Sequence, residues 1–126
     1  MLRQIVGRLC EAMMPRLPQI PDPKLGAFEV TTDGFRFFKN SNAIFEMRWQ
    51  DIQRVVAYKR DLITTDLICL ELESGAGQRT LIHEEVIGFW EVVNEMEKRL
   101  GVFPENWRER IMKPPFQSNL LILHEK

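Results

Sequence analysis

The densest concentration of chemically capable side chains is Tyr58-Lys59-Arg60-Asp61-Leu62-Ile63-Thr64-Thr65-Asp66, where two cations, two carboxylates and two hydroxyls follow one tyrosine. Read as a loop from Lys59 to Thr65 between strands, the segment places Tyr58, Lys59, Arg60, Asp61 and Asp66 where a rigid sheet can present them to a partner. A structural reading competes with this: Arg60, Asp61 and Asp66 pair locally and cap loop backbone groups. Neighbouring carboxylates also suit acid/base work or a cation, but no nucleophile or further ligand cluster stands at a recognisable spacing. An enzymatic reading therefore requires a cleft assembled from Asp61, Asp66 and His83.

The remaining motifs are weaker. His83-Glu84-Glu85 resembles the start of a zinc-protease helix, but the second histidine should stand four positions after the first, where this chain has Ile87. His124 near the C-terminus completes no such motif. Gly75-Ala76-Gly77 is too short for a phosphate loop and lies between strands rather than before a helix. Cys10 and Cys69 are far apart, form no metal pattern and fit a reducing compartment. No catalytic residue, metal site or cofactor is expected. Trp90, beside the main helical stripe, and Trp107, in a proline-bounded tail, are candidates for a half-exposed contact surface, since tryptophan is enriched at interface hot spots.

These side chains must be positioned by a run of short strands. Phe28 to Thr31 and Phe35 to Phe38 read as strands around the turn Thr32-Asp33-Gly34, and Lys39-Asn40-Ser41-Asn42 as a second turn. Ala43 to Trp49 gives a third strand with Phe45, Met47 and Trp49 toward the core. Ile52 to Tyr58 gives a fourth, favoured by the β-branched Val55 and Val56. In the fifth, Leu67 to Glu73, the dry face Ile68, Leu70 and Leu72 alternates with the wet face Cys69, Glu71 and Glu73. A loop at Ser74 to Gln78 returns through Arg79 to His83.

The period then changes. Val86, Phe89, Val93, Met96 and Leu100 recur at helical spacing, with Glu84 and Glu85 at the start, Lys98 and Arg99 near the end, and Gly101 as a cap. Pro104 to Met112 predicts a second short helix. Phe116 to Leu123 predicts a last strand, whose Leu120-Leu121-Ile122-Leu123 run should pair with a sheet edge or lie under the N-terminal segment.

The 126 residues, 44% apolar and 28% charged with a net charge of −1, suit one ordinary soluble domain. No basic excess points to nucleic acid. Residues 62 to 100 carry eight acidic against three basic side chains, so an acidic helix face is expected as a solvated surface or a dock for a basic partner. No apolar run approaches the roughly 20 residues of a membrane span. At the N-terminus, Arg3, Arg8 and Arg16 accompany Leu2, Ile5, Val6, Leu9 and Met13 at helical spacing. That pattern suits a short helix packed on the domain, and its alternative is binding to anionic lipid. Pro15, Pro18, Pro21 and Pro23 mark a linker. The division expected is 1–26 as N-terminal helix and linker, 27–101 as the main domain, and 102–126 as a C-terminal extension packed on it.

The strand order, the entry through Trp49-x-Asp51-Ile52, the charged hairpin and the single helix ending near Gly101 resemble bacterial pleckstrin-homology-like domains over residues 27 to 101. Val56 to Asp61, Thr65 to Cys69 and Pro115-Phe116-x-x-Asn119 are similar to a group of small bacterial proteins. The resemblance implies an α+β fold in which a strongly bent antiparallel sheet is closed by one amphipathic helix. It also implies binding of phosphoinositides, peptides or proteins, and some such bacterial domains look like immunity proteins. Thr32-Asp33-Gly34, flanked only by Arg36 and Lys39, departs from the lipid-headgroup type. The expectation is a small cytoplasmic, non-catalytic protein-binding module using Tyr58, Lys59, Arg60, Asp61, Asp66, Trp90 and Trp107, with an immunity-type role implied by the resemblance alone.

Overall fold

A computed structural model describes residues 21–61, 66–112 and 120–126. The expected N-terminal helix with Arg3, Arg8, Arg16 and Cys10, the segment Leu62 to Thr65, and Pro114 to Asn119 lie outside the described residues.

The fold is α+β, with two antiparallel sheets and two helices among the described residues. After a 3-10 turn at Pro23–Leu25 come β1 (Ala27–Val30), β2 (Gly34–Lys39) and β3 (Asn42–Arg48), which form a sheet in the order β1-β2-β3. A 3-10 turn at Trp49–Asp51 leads into β4 (Ile52–Asp61), β5 (Asp66–Ser74) and β6 (Arg79–His83). Then follow α1 (Phe89–Leu100), α2 (Trp107–Met112) and β7 (Leu120–Glu125), the last on the free side of β4, so the second sheet runs β6-β5-β4-β7. The apolar tail strand thus pairs with a sheet edge, through Tyr58↔Leu120, Ala57↔Leu121 and Val56↔Ile122.

Alternation builds the core. Phe35, Ile52, Val55, Ala57, Leu70, Leu72 and Ile82 are buried, and α1 adds Phe89, Val92, Val93 and Met96 at the three- and four-residue spacing of one helix face. Aromatic rings fill the first sheet's inner face. Phe35 meets Phe28 edge-on at 5.6 Å and lies 5.7 Å from Trp49. The turn between β1 and β2 is fixed by Thr31 and Gly34, which exchange a backbone bond of 2.8 Å and a bond from Gly34 N–H to the Thr31 hydroxyl of 3.1 Å. A Cβ at Gly34 would collide with the Met47 carbonyl, so only glycine lets β2 lie this close to β3.

Four local expectations change. First, β4 continues to Asp61, because Lys59, Arg60 and Asp61 pair with Ile68, Leu67 and Asp66. The expected loop from Lys59 is ladder at its start. Second, Trp49 ends the third strand in a turn, although it is buried as expected. Third, α1 starts at Phe89 rather than near Glu84. Ile87 bridges Ala27, its carbonyl accepts from Phe28 N–H at 2.7 Å, and Gly88 follows with φ of 88°. That tie to β1 holds residues 84–87 out of the helix. Fourth, the supposedly wet face of β5 includes the buried Cys69 and Leu67. Gly101 ends α1 as expected, with φ of 117° and its N–H on the Glu97 carbonyl at 3.2 Å.

Candidate functional site

The sequence-selected residues divide among three environments. Lys59 points inward and is fully buried; its ammonium lies 3.7 Å from Asp66 Oδ2 and donates to the Met112 carbonyl at 3.3 Å. This ties the β4-β5 hairpin to the end of α2. Tyr58 and Arg60 alternate to the opposite, outer face, Tyr58 half-buried and Arg60 exposed. Asp61 stands opposite Asp66 at the end of the ladder. Trp90 and Trp107 lie on the helical side, 6.3 Å apart. The seven residues therefore do not share one surface.

The Asp61, Asp66 and His83 grouping is divided as well. His83 pairs with Cys69 on the outer row, whereas Asp66 turns inward to Lys59. Glu84, buried at 2% exposure, accepts from Ile68 N–H at 2.9 Å and so secures β5 rather than facing a cleft. Burial, assisted by the charge of Glu84, pushes the Cys69 thiol up to about 11, which keeps it protonated and unreactive near neutrality. Among the described residues no group of three or more His, Cys, Asp or Glu is placed to hold a metal.

The outer face of the four-stranded sheet has the clearest character of a contact surface. One cross-strand row is Leu81, Glu71, Val56 and Ile122, and the next is His83, Cys69, Tyr58 and Leu120. Leu81 is 47% exposed, Leu120 68% and Ile122 40%, while Val56 and Cys69 between them are buried. Charged pairs close one end: Arg54 with Glu125 at 3.5 Å, and Arg79 with Glu71 and Glu73 at 3.8 and 3.9 Å. Burial also pushes the Tyr58 hydroxyl upward, with the neighbouring Cys69 adding to it, so the phenol stays a neutral hydrogen-bonding group. Tyr58 and Arg60, candidates from the sequence, lie on this face together with Leu81, Leu120 and Ile122, which are not among the candidates. Outward alternation opposite the core positions is the signal for them, and Leu120 and Ile122 belong to the apolar run expected to pair with a sheet edge.

On the helical side, Arg108 lies 4.0 Å from the centre of the Trp90 ring and 5.5 Å from that of Trp107. This cation-π stack covers the half-buried Trp90 and anchors α2 to α1. Trp107 itself is buried, which makes it part of the packing between the helices.

A concave site lies elsewhere. The β1-β2 turn, the end of β3, the last turn of α1 and the end of β7 surround a cavity of about 360 Å³ lined by Thr32, Asp33, Arg48, Trp49, Arg99 and His124, with Lys126 at its edge. A second cavity of about 270 Å³ shares Thr32, Asp33 and Arg48 with it. None of the sequence-selected residues lines either one.

Comparison of the chain with protein-family models, with curated proteins and with solved structures finds no match.

Proposed function

We propose that this chain is a small non-catalytic protein-binding module whose contact surface is the outer face of the β6-β5-β4-β7 sheet. The observation that carries the reading is the exposure of apolar side chains on the two edge strands of that face, Leu81 on β6 and Leu120 and Ile122 on β7, with the half-buried Tyr58 next to Leu120 and charged pairs at one end. Exposed apolar side chains set beside charged ones are an ordinary feature of protein-binding surfaces. Tyr58 and Arg60 belong to this surface. Lys59 and Asp66 support it from inside, and Trp90 and Trp107 lie off it.

The order of strands followed by α1 supports a pleckstrin-homology-like arrangement, in which the sheets bend around a helix and present loops and faces for recognition. An immunity-type role in a bacterial cytoplasm is the biological setting of that reading, and the free, buried Cys69 thiol is compatible with a reducing compartment. No helix among the described residues is long and apolar enough to cross a membrane.

The test is affinity capture from cells of the source organism with the wild-type chain and with the Leu81→Glu/Leu120→Glu variant as baits. Both positions are exposed, so the charges should leave thermal stability nearly unchanged. A partner held by the wild type and lost by the variant supports the surface. Retention of the same proteins by both baits contradicts it.

A further inference from the structure

We propose that the cavity between the β1-β2 turn and the C-terminal end of α1 binds a small soluble phosphate monoester. Its wall draws a cation from each of three elements: Arg48 from β3, Arg99 from α1, and Lys126 from just beyond β7. Arginine forks and an ammonium arriving from separate directions suit a tetrahedral group with three terminal oxygens better than a planar carboxylate with two.

The existing partners leave these cations with capacity to spare. Arg48 makes no ion pair among the described residues. Arg99 meets Glu95 through Nε at 3.5 Å, and Lys126 donates one hydrogen bond to the Gln50 carbonyl at 2.7 Å. A guanidinium has five N–H donors and an ammonium three, so neither is saturated. Asp33 is the carboxylate in the lining, and the Thr32 hydroxyl is a further donor.

A second observation points to the same place. Trp49 and His124 both line the cavity, and Trp49 Nε1 and His124 Nε2 are both buried without a hydrogen-bond partner. Trp49 is 5% exposed and its ring N–H can only donate. Two unsatisfied nitrogens beside one cationic cavity are unusual, because buried polar atoms almost always find partners. A small local adjustment on binding would give the indole an anionic acceptor.

The walls are firmly placed. Asp33 holds Trp49 N–H through its carbonyl at 2.9 Å, Gly34 locks the turn against β3, and Lys126 N–H bonds the Gln53 carbonyl at 2.9 Å. A volume of about 360 Å³ lies at the lower end of the range for small-molecule sites. The site is independent of the outer sheet face and does not require the protein partner proposed above.

The experiment is a titration of the full chain, followed by the Trp49 indole N–H resonance, with glycerol phosphate, inorganic phosphate, acetate and chloride at constant ionic strength. The expected result is a saturable shift with the phosphates, strongest for the ester, and none with acetate or chloride. Arg48→Gln and Arg99→Gln should each weaken binding about tenfold or more, with melting temperature unchanged. Arg48→Lys should recover only part of the loss, since it keeps charge without the fork. A linear response, equal shifts with acetate, or unchanged affinity in both glutamine variants would overturn the proposal. A parallel sedimentation with phosphatidylcholine vesicles containing phosphatidic acid separates the sources: binding to vesicles without binding to glycerol phosphate overturns the soluble-ligand assignment.

Discussion

Lys59 on β4 and Asp66 at the start of β5 close the hairpin from inside, Nζ to Oδ2 3.7 Å, with the lysine side chain fully buried and the aspartate 11% exposed. The most charged stretch of the sequence therefore serves first as a structural clasp, and only its alternates Tyr58 and Arg60 lie on the outer face of the sheet.

Removing one member of this clasp should be costly. Lys59→Ala leaves a largely buried carboxylate without its cation and is expected to destabilise the fold by about 3–5 kcal/mol. Replacing both residues together, Lys59→Met with Asp66→Leu, should recover a large part of that loss, because the charge left behind is also gone. Urea denaturation of the single and double variants measures both values. A loss under about 1 kcal/mol for Lys59→Ala would show that the pair is not a clasp.

Cys69 should resist alkylation in the native state at pH 8, because its thiol is raised to about 11 and is fully buried. Denaturant should release the reactivity. A folded-state value above the unfolded one means that the folded chain holds the proton longer. Stability contributed by this group is therefore complete below the unfolded value of about 9 and falls as pH rises toward 11. Cys69→Ser thermal melts between pH 8 and 10.5 should decline less steeply than wild type, whatever their absolute offset.

His124 has the opposite sign. Desolvation, with the nearby Lys126 charge adding to it, lowers its value from 6.5, so the unfolded chain takes up the proton first as pH falls. Stability from this group is present above the unfolded value and is lost on acidification down toward the lowered folded one. His124→Gln should flatten the stability profile just below pH 6.5, as read from melting temperatures across that range.

Gly34→Ala tests the close approach of β2 and β3. With the Met47 carbonyl in the way, the variant should lose more than about 1 kcal/mol, whereas Gly75→Ala, which meets only the Gln53 side chain at 3.5 Å, should be tolerated far better. Met96→Ala, in the buried stripe of α1, should cost about 2–5 kcal/mol. Chemical denaturation under one set of conditions ranks all three.

Much of the fold was legible because it follows local periodicity. Phe35, Val55, Leu70 and Leu72 alternate inward, and Phe89, Val93 and Met96 mark the helix face, so each could be read from near neighbours. What failed depended on distant partners. Glu84 and Glu85 look like a helix start, but the bridge from Ile87 to Ala27 determines the backbone there. Lys59 looks exposed by charge, yet Asp66 and the Met112 carbonyl allow it to enter the interior. The cavity was invisible for the same reason. Asp33, Arg48, Arg99 and His124 come from four separate segments, and no spacing along the chain links them.

The most direct test of the binding-module account is site-specific photocrosslinking in cells, with the photoreactive residue at Leu81, at Leu120, or at the exposed Lys39 on the other sheet. The account expects the same discrete protein to be joined to the Leu81 and Leu120 probes and not to the Lys39 probe. Identical products from all three positions, or no product from the two leucine positions, would contradict it.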